Sequence, residues 1–184
     1  MSVKLTYSQQ RMSSAFLKNE TADAPVVIPA RAPLPPGTPN YVTPQGLDLL
    51  RTELTNLEKE RAHLQAAQVD DENERSRRLA LLNGTIANLN QRISSAKVVD
   101  THEQGRVRFG ATVGLKIQQG KLAGTERNFT IVGVDQANAT QGLIAFTAPL
   151  ARALQGKRIG ETVVWATPGG QQIMEVIRIQ YDLA

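Results

Sequence analysis

The sequence predicts an α+β protein: an antiparallel helical hairpin, then a small, mostly antiparallel sheet covered by one short helix. Two observations carry this. Between residues 47 and 96, apolar residues recur at alternating three- and four-residue intervals, the spacing of a coiled-coil seam, and the pattern is its own mirror image. After Val98 the helical period gives way to short β-type runs bounded by Gly-, Pro- and Asn-rich turns.

Residues 1–42 read as a disordered, Pro-rich tail. Pro25, Pro29, Pro33, Pro35, Pro36 and Pro39 preclude regular helix, and the polar stretch before them has no period. Val26-Val27-Ile28 is the apolar cluster of this tail, and docking on a sheet edge or a partner is its alternative reading. Met12 is a second candidate start.

Thr43-Pro44 opens the first helix, with a hydroxyl N-cap followed by proline at the first helical position. This helix is expected to run to about Gln68. The second begins near Asp71, where Asp71 and Glu74 have capping-box spacing, and ends near Ala96. Reflection about the point between Asp71 and Glu72 places Leu50 on Ile93, Leu54 on Leu89, Leu57 on Ile86, Leu64 on Leu79 and Leu47 on Ala96. Residues 43–98 are therefore expected as an antiparallel coiled-coil hairpin with an acidic tip at residues 70–74. Arms of some 25 residues at about 1.5 Å each are roughly 35–40 Å long. Arg61 is the polar exception in the first seam. Gly84 lies outside the second seam, at a local cost of roughly 1 kcal/mol relative to alanine.

The remaining residues, 99–184, form the second domain. Strands are expected over residues 111–117, 128–135, 142–147, 161–165 and 172–181, with a short helix over residues 148–154 and a turn at Thr167-Pro168-Gly169-Gly170.

Composition narrows the function classes. The chain of 184 residues has no cysteine, which excludes disulfides, zinc–thiolate sites and a cysteine nucleophile and fits a reducing cytoplasm. No apolar run is long enough to span a membrane, and the first twenty residues lack the apolar core of a signal peptide. A soluble, cytoplasmic protein is the expectation. Of the net charge of +4, residues 101–184 carry +3, a basic end that could favour nucleic acid or an acidic protein surface but is too mild to decide between them.

No catalytic constellation of a self-sufficient enzyme is visible: there is no P-loop, Rossmann glycine pattern or nucleophile elbow. His63 and His102 read as solvated surface residues. The acidic tip is the exception. Asp70, Asp71 and Glu72 could give oxygen ligands to a hard cation such as Mg²⁺, which often takes only one or two carboxylates from protein. The same carboxylates could cap the second helix and complement its dipole, and Arg75, Arg77 and Arg78 follow close enough to neutralise them. Both readings stand on the residues alone. Arg106, Arg108, Arg127, Arg152, Lys157 and Arg158 form either a docking face or a solubilising surface.

Rod, acidic tip and following module together resemble the bacterial Gre transcript cleavage factors, GreA and GreB. Tyr41-Val42-Thr43-Pro44-Gln45-Gly46 is similar to the helix-opening segment of that family. Gly105-Arg106-Val107-Arg108-Phe109-Gly110-Ala111 matches the entry to its sheet domain, and Phe129-Thr130-Ile131-Val132-Gly133 one of its strands. The run from Ala148-Pro149-Leu150-Ala151-Arg152-Ala153-Leu154 through Gly156-Lys157-Arg158 is the most specific likeness. The resemblance implies an FKBP-like C-terminal domain without isomerase activity. It implies a monomer that docks on the β′ subunit at the rim of the RNA polymerase secondary channel through Arg106, Arg108, Pro149, Leu150, Arg152, Lys157 and Arg158. The rod would enter the channel. Asp70, Asp71 and Glu72 would help hold a Mg²⁺ shared with the polymerase active site, where the 3′ end of backtracked RNA is cut; no membrane is involved. The protein would then be an accessory factor and not itself an enzyme. Two departures are visible. The position three before Glu72 is Val69 and not an acid, and each arm is shorter than usual by one helical turn, about 5.4 Å. They keep open an alternative: an Rnk-like secondary-channel regulator without cleavage activity.

Overall fold

A computed structural model of the chain describes residues 26–67, 71–99, 105–167 and 170–181. The hairpin consists of α1 (Pro44–Ala66) and α2 (Glu72–Ser94). The Thr43 side chain caps α1 by accepting from the Gly46 amide at 2.9 Å, and Pro44 occupies the first turn, where a missing N–H costs nothing. The expected seam is largely buried: Leu50, Leu64, Leu82, Ile86 and Leu89 are buried and Leu79 is half-buried, while Leu47, Leu54, Leu57, Ile93 and Ala96 pack against Val42, Leu50 and Leu89. No described helix is long and apolar enough to cross a membrane.

Two short strands flank the hairpin. β1 (Asn40–Val42) and β2 (Ala96–Val98) pair in parallel, Asn40 opposite Ala96 and Val42 opposite Val98. Parallel neighbours require a long crossover, and the hairpin itself is that crossover. Asn40 is buried and donates from Nδ2 to the Arg92 carbonyl at 2.8 Å and to Ser95 Oγ at 3.1 Å, closing the end of α2 onto the start of α1.

The C-terminal sheet has the order β5-β4-β3-β7-β6, where β3 is Ala111–Ile117, β4 Glu126–Val132, β5 Leu143–Ala145, β6 Thr162–Thr167 and β7 Gly170–Tyr181. All pairs are antiparallel except β4 and β5. The sheet is thus mixed at one edge, because a connection containing a 3-10 turn (Ala139–Gln141) carries the chain back before β5 begins. A bulge between Gly114 and Leu115 shifts the β3–β7 register. Helix α3 (Pro149–Leu154) lies on the sheet with Leu150, Ala151 and Leu154 buried beside Val113, Leu115, Met174 and Val176.

One expectation needs correction. Residues 1–25 lie outside the described residues, but residues 26–42 do not behave as a disordered tail. Asn40–Val42 is a strand, and upstream of it Arg31 pairs with Glu53 of α1 and with Asp135 after β4. Prolines forbid regular helix here without forbidding a short strand or a fixed path held by side chains.

Candidate functional site

The tip of the hairpin is built by helix capping. Asp71 is the N-cap of α2: its Oδ1 accepts from the Asn73 amide at 3.0 Å and the Glu74 amide at 3.1 Å, two of the donors that a helix start leaves unpaired. The Glu72 carboxylate projects into solvent and is met by Arg75, whose Nη1 donates to Oε1 at 3.1 Å. The other arm of that guanidinium, Nη2, donates to the Gln65 carbonyl at 2.9 Å. Arg75 therefore ties the start of α2 to an orphan carbonyl at the end of α1, where a cation also suits the helix dipole. A second bridge, Arg78 to Glu60 at 3.7 Å, joins the two arms further down. Asp70 lies outside the described residues.

The structure thus assigns Asp71 a capping role and Glu72 an ion-pair role, each leaving one carboxylate oxygen without these bonds. Among the described residues no group of three or more His, Asp or Glu side chains converges as a metal site. The carboxylates fit a cation only as partial ligands, one or two oxygens completing a shell supplied elsewhere. His63 is exposed on α1, and His102 lies outside the described residues.

Four of the basic residues share two adjacent segments of the sheet domain, while Arg127 stands apart on β4, opposite Leu115 of β3. The Val107 amide donates to the Lys157 carbonyl, and the Gly156 amide to the Val107 carbonyl, both at 2.8 Å. Arg106, Arg108, Lys157 and Arg158 are thereby set on two adjacent segments. The Arg106 carbonyl accepts from the Tyr181 hydroxyl at 2.6 Å, and Glu161 accepts from the Arg158 amide at 2.6 Å, so both segments are pinned. Arg152 and Pro149 are exposed on α3. Arg152 borders an open groove of about 400 Å³ whose floor is Tyr41, Phe109 and Phe146. These rings meet at centroid distances of 5.6–6.0 Å, largely edge to face. Leu150 departs from its expected docking role: only 4% exposed, it is spent on the sheet core and is a packing residue.

Sequence reasoning missed two parts of this arrangement. The sequence marks Arg75 only as a neutralising charge, although a guanidinium one turn after an N-cap can reach the neighbouring arm. No local pattern signals the contact of the rod base with the sheet domain. There Thr43 Oγ1 donates to Gln136 Oε1 at 2.7 Å, and Gly133 allows the Tyr41 carbonyl within 2.7 Å of where a Cβ would sit.

Residues 102–181 match the family model described as "Transcription elongation factor, GreA/GreB, C-term". The GreB of Neisseria meningitidis serogroup B is 35% identical over 159 residues, covering 78% of this chain and 95% of that protein. The GreA of Alkalilimnicola ehrlichii is 37% identical over 106 residues, 56% of this chain and 65% of that protein, so the match spans just under two thirds of its length. Among solved structures, the GreA factor homologue of Thermus thermophilus is 24% identical, with a TM-score of 0.37, over 78% of this chain and 99% of that one. The chain belongs to the GreA/GreB family of transcription elongation factors.

Proposed function

We propose that this protein binds RNA polymerase in the cytoplasm, docks on the β′ rim of the secondary channel and inserts its hairpin toward the active centre to stimulate cleavage of backtracked RNA. Family membership supports a role in elongation. The observation that carries the rest is the exposed carboxylate pair, Asp71 and Glu72, at the end of two 23-residue helices, a rod about 35 Å long. On this reading Asp70, Asp71 and Glu72 hold part of the shell of a Mg²⁺ shared with the polymerase. When bound, that ion lowers the pKa of a coordinated water and stabilises charge on the phosphate. The protein's own work is to carry carboxylates to the site and keep them oriented: Asp71 through its amide bonds, Glu72 through Arg75. The exposed Arg152 and the pinned basic segments at 106–108 and 157–158 supply the docking face, and the factor is not an enzyme by itself.

A second reading has its own observation. Arg75 holds Glu72 at 3.1 Å, which opposes surrender of that carboxylate to a metal and favours an Rnk-like regulator that occupies the channel without cleavage. The experiment uses halted, backtracked complexes of the cognate polymerase with wild type and with an Asp70/Asp71/Glu72→Ala triple variant. Release of short 3′ RNA fragments by the wild type and its loss in the variant support cleavage. Equal release by both eliminates the tip mechanism, and binding without release by either selects the regulator.

A further inference from the structure

The segment upstream of β1 lies along the hairpin as a strap, and its fixing points connect separate parts of the molecule. Arg31 is the centre. Its Nη1 and Nη2 donate to the two carboxylate oxygens of Glu53 on α1, at 2.8 and 3.0 Å, in a bidentate fork. Its Nε donates to Asp135 Oδ1, beyond β4 of the sheet domain, at 3.0 Å. The other oxygen of Asp135 lies 3.2 Å from Nε of Arg92 on α2, and Arg92 in turn donates to the Ala32 carbonyl of the strap. The circuit closes through strap, first helix, sheet domain and second helix. The side chains of Asp135, Arg92 and Arg31 are only 9%, 12% and 21% exposed, so solvent screening is reduced. The hydrogen bond to Glu53, opposed by burial and aided by Asp135, raises the Arg31 pKa above its ordinary value. Only a planar fork bonds two carboxylates on different elements in this way.

The strap also explains a glycine. Gly84 is in the middle of α2, where glycine weakens a helix, and a Cβ there would collide with the Ile28 side chain, whose Cγ1 is 2.7 Å from that position. The missing side chain is the seat of the strap.

We propose that residues 28–32 act as a latch that fixes the angle between the hairpin and the sheet domain. The argument is one of leverage. Other contacts between the two bodies, Thr43 and Gln45 to Gln136 and Tyr41 to Gly133, Phe109 and Phe146, cluster at the start of α1 and define a pivot. Glu53 is nine residues beyond Pro44, about 14 Å along the helix. A tie from that height to Asp135 braces the rod against rotation about the pivot, as contacts at the pivot alone do not.

Because the chain has no cysteine, spin labels can be placed cleanly at Lys59→Cys on α1 and Gln119→Cys on the exposed turn after β3. Pulsed dipolar spectroscopy of the full chain should give one narrow distance distribution. Arg31→Ala should at least double its width, and Arg31→Lys, which keeps charge but loses the fork, should fall between. Arg51→Ala, an exposed helix arginine outside the circuit, should leave the distribution as in the parent. Gly84→Ala unseats Ile28 with the charges intact while its added helix propensity offsets part of the lost packing, so it tests the latch apart from the ion pairs and should also broaden the distribution. Superimposable distributions for the parent and both Arg31→Ala and Gly84→Ala overturn the proposal, as does equal broadening by Arg51→Ala.

Discussion

Replacing Asp71 by alanine and, separately, by asparagine divides two jobs that one carboxylate is positioned to do. The alanine variant removes the oxygen that accepts from the Asn73 and Glu74 amides. Loss of such a cap costs about 1 kcal/mol, and loss of a negative charge in the first turn adds about 0.3–1 kcal/mol. The sum, about 1.5 kcal/mol, corresponds to a roughly tenfold rise in local opening of the first turns of α2. Native-state hydrogen exchange reads this directly, as about tenfold weaker protection of the Arg75–Arg78 amides with little change in the buried seam around Leu89. Asparagine retains a capping oxygen and forfeits only the charge term, so protection should fall by a factor of about two to five. Cleavage assays then divide the readings. If the Asp71 carboxylate serves a metal, both variants lose fragment release to a similar degree even though asparagine keeps the helix start. Wild-type release by Asp71→Asn, together with loss in Asp71→Ala, refutes the metal role and leaves a cap. Unchanged exchange in Asp71→Ala refutes the cap itself.

Arg75→Ala should free Glu72 and release the Gln65 carbonyl; if the ion pair restrains the tip, fragment release rises, and a fall instead shows that the pair positions the carboxylate. Leu89→Ala empties a fully buried seam position and should destabilise the chain by about 2–5 kcal/mol in urea unfolding, with a smaller loss indicating that the hairpin collapses around the gap. Gly133→Ala would press a Cβ against the Tyr41 carbonyl, backbone that cannot swing aside, at a cost of about 1–3 kcal/mol, and loosen the rod junction; Gly120→Ala, strained only by its positive φ in an open turn, should leave that junction intact by hydrogen exchange.

The hairpin was legible because its information is local and periodic. Each seam leucine is one of a series, and mirror symmetry about the tip follows from antiparallel pairing of two such series. The strands of the sheet were legible as runs, but their neighbours were not: nothing in Leu143–Ala145 announces that it pairs parallel to β4. β1 and β2 are hard to read because three residues carry no period, and their pairing depends on a hairpin that returns the chain after 53 intervening residues. The strap was hidden by its composition. Prolines suggested disorder, whereas Arg31 finds partners 22 and 104 positions away, a coincidence no local pattern encodes. Gly84 is the trace the strap leaves in the sequence: a glycine weakens a helix there, and its bare backbone is what seats Ile28. For Leu150 the error had another origin. Its docking role came from resemblance alone, while its place on a short amphipathic helix already favoured burial.

The length of the rod connects latch and tip. Rotation of the hairpin by 10° about its base displaces a point about 35 Å away by about 6 Å. A misplacement of about 1 Å in a reacting group can cost about a hundredfold in rate. A carboxylate delivered on so long an arm therefore acts reproducibly only if the base is held to within about 2°, which contacts gathered at the pivot, with no lever arm of their own, resist poorly. The Arg31 circuit answers that requirement, since it attaches to the rod well above the pivot and is partly shielded from solvent. The coupling is testable through the RNA itself. If the tip acts on a metal, Arg31→Ala should leave polymerase binding within about twofold of wild type and yet reduce the rate of fragment release at saturating factor by at least tenfold. A loss confined to affinity would mean that the strap serves docking, and an unchanged rate would mean that the polymerase channel, and not the strap, sets the angle of the rod.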